Sequence, residues 1–285
     1  MLIAIYGNRR QTQYADTLKN LFAMLAMSDV DMLMHSKLYR HLTADLGLSL
    51  PGVAPIVNDE FPADADLVLS IGGDGTFLRT AAWTGCAQTP ILGINTGTLG
   101  YLAAVNLDHA EGLVDDIINA NYTIESRALL HIETPRLSVW PFALNEVVVS
   151  KDDHASIVQV EAHINGRKLA DYRADGLIVS TPTGSTAYNL SVGGPIVQPV
   201  APVWVVSPIA AHSLSMRPLI IDNDSELTLA VTGRSPNFRL SVDGRSTLLP
   251  AGSVITLRRA PYVVRIVQRE ADRFPAVLHN KLYFN

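Results

Sequence analysis

The chain has 285 residues, 48% of them hydrophobic, and a formal net charge of −5. That length supports one large core or two medium ones. No basic run concentrates positive potential on one face, which argues against a nucleic-acid partner, whereas anionic substrates stay open because backbone N–H groups and a metal can attract phosphate.

In chain order, Leu2–Tyr6 reads as a strand, and Thr12–Met27 carries helical spacing through Leu18, Leu21, Phe22 and Leu25. Asp31–Met34 is a strand followed by a helix to about Leu46, and Leu67–Ile71 is a strand that runs through a glycine-rich turn into another helix. Ile91–Ile94 is a further strand, and His109–Ala120 a helix with Leu113, Ile117 and Ile118 on one face. This alternation, with near-continuous apolar strands, indicates an α/β domain over about 1–122 with a Rossmann-like parallel sheet covered on both faces. Beyond residue 122 helical runs nearly vanish. Ile157–Ile164 and Lys168–Arg173 flank the hairpin signal Asn165-Gly166. Further strands are expected at Leu144–Val149, Leu177–Ser180, Val203–Val206, Leu227–Val231, Arg239–Val242, Val254–Leu257 and Val263–Val267. So many short strands predict a mainly β domain over 123–267, built as stacked sheets or a β-sandwich. The tail, Asp272–Leu282, reads as a last helix.

One cysteine, Cys86, rules out an intramolecular disulfide, favours a reducing, cytoplasmic setting, and reads as a passive, partly buried thiol. The N-terminus lacks a basic segment, and no apolar stretch reaches 18 residues, so neither a signal peptide nor a membrane partner is expected. The eight histidines are scattered without metal-ligand spacing.

The most informative motif is Gly72-Gly73-Asp74-Gly75-Thr76, set between an apolar strand and a helix that continues through Phe77, Leu78 and Arg79. Its glycines let backbone approach a ligand, and amides at a helix start suit phosphate. A carboxylate among such amides would repel phosphate unless it binds a metal or accepts a hydroxyl proton, so Asp74 is a candidate base or magnesium partner. The plain alternative is an Asp that only caps its helix. A second glycine-rich loop, Gly93 to Tyr101, follows the next strand, and loops at the C-terminal ends of parallel strands face one crevice.

In the β-rich half, Asn145-Glu146 interrupts an apolar strand, so at least one of the pair should point into something buried, unless the strand is a solvent-facing edge. The run from Arg173 through Asp175-Gly176, Thr181, Thr183, Ser185, Thr186 and Ala187 to Tyr188 ends a buried strand in clustered hydroxyls, with a short helix opening at Thr186. Hydroxyls and open amides suit ribose and ring nitrogens. Ser185 lacks the surroundings of a serine nucleophile. Gly193-Gly194-Pro195 permits tight packing after that helix, Asp243-Gly244 reads foremost as hairpin chemistry, and His212 as a loop residue or a cleft liner.

Taken in order, Gly72–Thr76, Asn95–Leu102, Asn145-Glu146, Asp175–Tyr188 and Gly193-Gly194-Pro195 resemble the NAD kinase family over nearly the whole chain. The resemblance implies an α/β N-terminal domain, a β-rich C-terminal domain with a tail (about 268–285) returning to the first, and phosphorylation of the 2′-hydroxyl of NAD's adenosine ribose. It also implies ATP as donor, a divalent cation (magnesium, held mainly by the ATP phosphates), and a homodimer or homotetramer. By position, Asp74 matches the catalytic aspartate and Asn145-Glu146 the pair holding the adenosine end of NAD. Gly75, Tyr101, Arg173, Asp175, Thr183, Thr186, Ala187 and Tyr188 complete the expected NAD set, and Gly72, Gly73, Gly75, Thr76 and Arg79 the phosphate set. Tyr101 stands where many members have Phe, Ala210-Ala211 where Cys-Pro is usual, and Arg245 follows Asp243-Gly244 where Gln is usual. A lipid kinase sharing only the first loop, or a non-catalytic dinucleotide sensor, are the rival readings.

Overall fold

The computed structural model describes residues 1–9, 12–97, 100–106, 110–152, 157–269 and 273–282. Thr98, Leu99, His109 and Asp272 lie outside them, so the middle of the second loop and the first residues of two expected helices are not described. The chain divides into two compact units, Met1–Ser126 with Val264–Asn285, and Arg127–Val263.

The first unit contains β1 (Leu2–Gly7), α1 (Ala15–Met27), β2 (Asp31–Met34), α2 (Ser36–Arg40), β3 (Val53–Pro55), β4 (Leu67–Ile71), α3 (Asp74–Thr84), β5 (Ile91–Asn95), β6 (Val105–Asn106) and α4 (Ala110–Ile118). Its strands form a parallel sheet in the order β5-β4-β1-β2-β3, with β6 beside β5. Every residue of β4 and β5 is buried, Ser70 and Asn95 included, which is why both read as near-continuous apolar runs. Leu18, Leu21, Phe22 and Leu25 of α1 and Leu113 and Ile117 of α4 join Ile3, Ile5, Leu69 and Ile94 in one core. The expected helix to about Leu46 is present but changes its winding: α2 passes without a break into a π-helical turn, His41–Asp45, capped by Leu46, and Gly47 follows with φ 67°. Cys86 is exposed, not partly buried, because it sits in a 3-10 turn just past α3.

The second unit opens within β7 (Thr123–Glu133) and continues through β8 (Phe142–Ala143), β9 (Glu146–Lys151), β10 (Val158–Ile164), β11 (Arg167–Ala174), β12 (Gly176–Ser180), α5 (Tyr188–Ser191), β13 (Val203–Ile209), β14 (Leu219–Asp222), β15 (Leu227–Gly233), β16 (Asn237–Val242), β17 (Arg245–Pro250) and the start of β18 (Val254–Gln268). Strands β14-β13-β12-β9-β16-β17 form one antiparallel sheet, and β11-β10-β15-β18 pair antiparallel in another. Inward residues such as Val149, Val179, Trp204, Leu229, Phe238 and Leu240 fill their common core. The strand expected over Leu144–Val149 is broken: β8 ends at Ala143, β9 starts at Glu146, and two residues lie off the ladder between them. The end of β18 belongs to the first unit, where Ile266 pairs with Ile91, and α6 (Phe274–Leu282) forms the tail.

Candidate functional site

In the first unit, the turn after β4 places Asp74 at the first position of α3, with Gly73 as the N-cap. The helix closes on Gly73, whose carbonyl accepts the N–H of Thr76 (2.8 Å) and Phe77 (3.1 Å). The first two amides of the helix, those of Asp74 and Gly75, have no intrahelical acceptor, and beside both Gly73 and Gly75 the space is open. The strand supplies the direction, the glycines the access and the helix start the partial positive charge that a phosphate chain needs. Thr76 is buried, its hydroxyl accepting from Asn8 Nδ2 (3.0 Å) and Arg79 Nη2 (3.2 Å), which ties Arg79 to the same turn.

Asp74 does not cap its own helix. Its carboxylate turns to the loop after β5, where Oδ2 accepts the N–H of Tyr101 (2.9 Å) and Oδ1 those of Leu102 (3.0 Å) and Ala103 (3.1 Å). Asn95 closes that loop from its other end, donating to Ala103 O (3.0 Å) and accepting from Gly97 N (2.6 Å). Gly100 is where the approach is tightest, since a Cβ there would collide with the Asp74 carboxylate. Three fixed N–H donors hold the group as an oriented acceptor, and Oδ2, with one bond among the described residues, keeps a lone pair for an incoming hydroxyl. Tyr101 lies under the Lys281 ammonium of α6, 4.3 Å from the ring centroid. Its buried hydroxyl has no hydrogen-bond partner among the described residues, and burial, with Asp74 nearby, raises its pKa.

In the second unit, Asn145 and Glu146 are both buried, at 8% and 9% exposure, so the whole pair faces inward rather than one member. The Asn145 carbonyl accepts the Thr181 N–H (2.8 Å), and Gly184 packs so closely on it that a Cβ would overlap that carbonyl. The hydroxyl run therefore folds directly over the pair. It forms a 3-10 turn, Thr183–Thr186, before α5, instead of one helix opening at Thr186. Thr183 is buried and accepts from Arg127 Nη1 (3.3 Å), Thr186 donates to Thr183 O (3.4 Å), and Tyr188 is half-exposed, with its backbone amide near enough to Glu146 to favour the charged form. Ala187 sits at the bend between the two turns.

Two buried carboxyls meet here. Glu146 is pushed up to about 8 by desolvation and by the neighbouring Asp243. Burial raises Asp243 as well, but it accepts three backbone N–H bonds and has Arg245 nearby, whereas Glu146 Oε2 has no partner among the described residues. The three amides and Arg245 favour the charged form of Asp243, and burial beside that carboxyl favours the neutral form of Glu146.

Arg173 and Asp175 stand apart from this cluster in their bonding. Arg173 is exposed, its carbonyl taking the His212 N–H (2.9 Å), and Asp175 pairs with Lys151 Nζ at 2.8 Å. His212 is an exposed loop residue. Three residues escaped sequence reasoning. Asp243 does make the Asp-Gly hairpin turn between β16 and β17, yet its side chain also binds Leu144, Asn145 and Glu146. Asn189, fully buried, bonds Ser185 O, Pro195 O and Ser207 Oγ, and its amide fills the space a Gly194 Cβ would need. Arg127 is buried at the start of the unit. Only the Asp-Gly pair and the double glycine hinted at the first two.

A carboxylate held by amides beside a helix start left open for phosphate is the layout of a phosphotransferase that reserves its acid for a hydroxyl. The family is shown by comparison: residues 3–122 match the ATP-NAD kinase N-terminal domain and residues 144–269 the ATP-NAD kinase C-terminal domain, and the chain belongs to the ATP-NAD kinase family. It is an enzyme that phosphorylates NAD. It is 41% identical over 284 residues to the NAD kinase of Bacteroides fragilis, covering 99% of this chain and 97% of the relative, and 40% identical to that of Porphyromonas gingivalis, covering 98% and 96%. The fold is similar to that of yeast NADH kinase complexed with NADH, with a TM-score of 0.87 at 24% identity, covering 100% of this chain and 88% of that one. It is also similar to an Archaeoglobus fulgidus NAD kinase in complex with ATP, with a TM-score of 0.74 at 23% identity, covering 97% and 98%. No helix among the described residues is long and apolar enough to cross a membrane.

Proposed function

We propose that Asp74 accepts the proton of the 2′-hydroxyl of NAD's adenosine ribose as the γ-phosphoryl group of ATP moves onto that oxygen. The new O–P bond forms in line with cleavage of the bond to the β-phosphate, so that NADP and ADP leave and the proton resides on Asp74. The observation that carries this reading is the Asp74 carboxylate, fixed by three amides with one lone pair of Oδ2 to spare. Gly72, Gly73, Gly75, Thr76 and Arg79 hold the triphosphate through amides, hydroxyl and guanidinium. Asn145, Glu146 and the turn carrying Thr183, Thr186, Ala187 and Tyr188 hold the adenosine end of NAD. Tyr101 adds an aromatic wall, and Arg173 and Asp175 contribute to the same substrate. A divalent cation, magnesium by its preference for phosphate oxygens, would be held mainly by the ATP phosphates and, when bound, would supply neutralisation of charge on the transferred group. The enzyme is proposed to be cytoplasmic and to work as a homodimer or homotetramer.

An end-point assay for NADP from NAD, ATP and magnesium tests the reading, with diacylglycerol as a control acceptor. NADP formation with no lipid phosphorylation is expected, and absence of NADP under saturating substrates overturns it.

A further inference from the structure

We propose that Asp243, Arg245 and Trp140 together position the segment Asn145–Glu146 for the dinucleotide, and that in this chain Arg245 is a positioning residue for it. The inference rests on the reading of Asn145 and Glu146 as NAD-holding residues.

Asp243 sits in the β16–β17 hairpin with φ 46°, followed by Gly244 at 76°, the positive pair of a type I′ turn. That geometry turns its side chain, only 2% exposed, away from solvent. The carboxylate gathers three consecutive amides: Oδ2 takes the N–H of Leu144 (2.8 Å), and Oδ1 those of Asn145 (2.8 Å) and Glu146 (3.1 Å). Its own N–H returns to Glu146 O (3.1 Å). Three successive N–H groups converging on one anion cannot lie in a flat ladder, where they would alternate in direction. This curl is the physical reason that β8 and β9 are separate strands. An uninterrupted apolar strand would satisfy the same backbone without burying a charge, so the arrangement does something other than complete the sheet. What it does is hold Leu144 and Asn145 off the ladder, with Glu146 the first residue back on it, and fix the backbone of the Asn145–Glu146 pair.

Arg245 secures the turn from the far side. Its Nε donates to Val242 O (3.1 Å) and its Nη2 to Phe142 O (2.9 Å), while Nη2 also stands 3.8 Å from Asp243 Oδ2. The guanidinium lies over the Trp140 ring, 5.0 Å from its centroid, and Trp140 packs on Phe142, 5.3 Å between centroids. One planar cation thus joins the last strand before the segment to the turn that holds it. Glutamine could not make the forked contacts or the cation–π stack, and lysine would supply only a point charge.

The test compares R245Q, R245K, W140A and D243N with the wild-type enzyme. Affinity for NAD is read directly by titration calorimetry, and KM for ATP, kcat and melting temperature are read alongside. For R245Q and W140A the expectation is NAD binding weakened about tenfold, the scale of supporting groups that orient a ligand-holding residue, with KM for ATP within about twofold and folding retained. R245K should resemble R245Q, since charge without the fork does not restore the geometry. D243N should lose about 10²-fold in kcat/KM for NAD, the scale of small misplacements of an oriented group. If D243N does not fold, R245Q decides. NAD affinity within twofold of wild type in R245Q overturns the proposal, as does an equal loss for ATP or a fall in melting temperature with unchanged NAD affinity. A wild-type protein that binds NAD but makes no NADP would sink the proposed function and leave the positioning to be judged by the calorimetry. One that does not bind NAD overturns both.

Discussion

Replacing Glu146 by glutamine gives a pH-dependent change in stability whose sign follows from the site. The folded-state pKa of Glu146 is raised to about 8 from an ordinary value of 4.5, with burial as the largest cause. A carboxyl raised in this way contributes no penalty below its unfolded pKa. Between the two values the unfolded chain has lost the proton and the folded chain keeps it, so stability falls as pH rises, and above the folded pKa the penalty is complete. The slope is about 1.4 kcal/mol per pH unit while the two states differ by one proton, which integrates to roughly 4 kcal/mol between pH 5 and pH 9 as an upper bound. Coupling to Asp243 and local relaxation reduce that, so about 2–4 kcal/mol is expected. Glutamine is nearly isosteric and cannot ionise. Urea unfolding of wild type and E146Q across this range should therefore show the variant gaining steadily on the wild type with pH. Parallel curves would refute the argument, because they would mean that Glu146 ionises in the folded protein as it does in the unfolded chain.

Gly100→Ala sets a Cβ against the Asp74 carboxylate and should cut kcat by about 10²-fold, since a shift near 1 Å in an oriented group has that effect, while circular dichroism stays native. An active G100A enzyme would show that the Asp74 position is not critical. Asn189→Ala removes the amide that bonds two carbonyls and Ser207, leaving buried groups unpaired, and should destabilise the protein by about 2–4 kcal/mol in denaturant unfolding. A change below 0.5 kcal/mol, roughly the level of surface substitutions, would contradict that role. Tyr101→Phe removes a buried hydroxyl with no partner among the described residues and should raise stability by about 1 kcal/mol. A comparable loss of stability would reveal a bond that the hydroxyl makes.

Local signals made much of this protein legible. The turn at Gly72–Thr76 announces itself because the strand, the glycines and the helix start are contiguous, and both buried strands beside it are apolar but for Ser70 in one and Asn95 in the other. The antiparallel second unit was readable for a similar reason, since hairpin residues such as Asn165-Gly166 carry their own instructions. Charge broke the apolar pattern elsewhere. β7 includes Glu125 and Arg127, and so reads as polar although Arg127 is buried, while β14 and β17 are edge strands with exposed faces. The anchoring of Asp74 joins residues 27 to 29 apart, and that of Asp243 joins residues 97 to 99 apart. Period and propensity carry no trace of such bonds. An Asp-Gly pair looks alike whether its carboxylate meets solvent or a distant loop, which is why Asp243 read mainly as a turn and Glu146 as part of an unbroken strand.

The reaction assigned to Asp74 is tested most directly by single-turnover NADP formation in Asp74→Asn, with NAD affinity measured on the same sample. Asparagine keeps an acceptor oxygen for the Tyr101–Ala103 loop but cannot take the hydroxyl proton. The expected result is NAD affinity within a few-fold of wild type and a phosphoryl-transfer rate lower by about 10²-fold or more, the scale of a general base. Transfer at close to the wild-type rate would contradict the account.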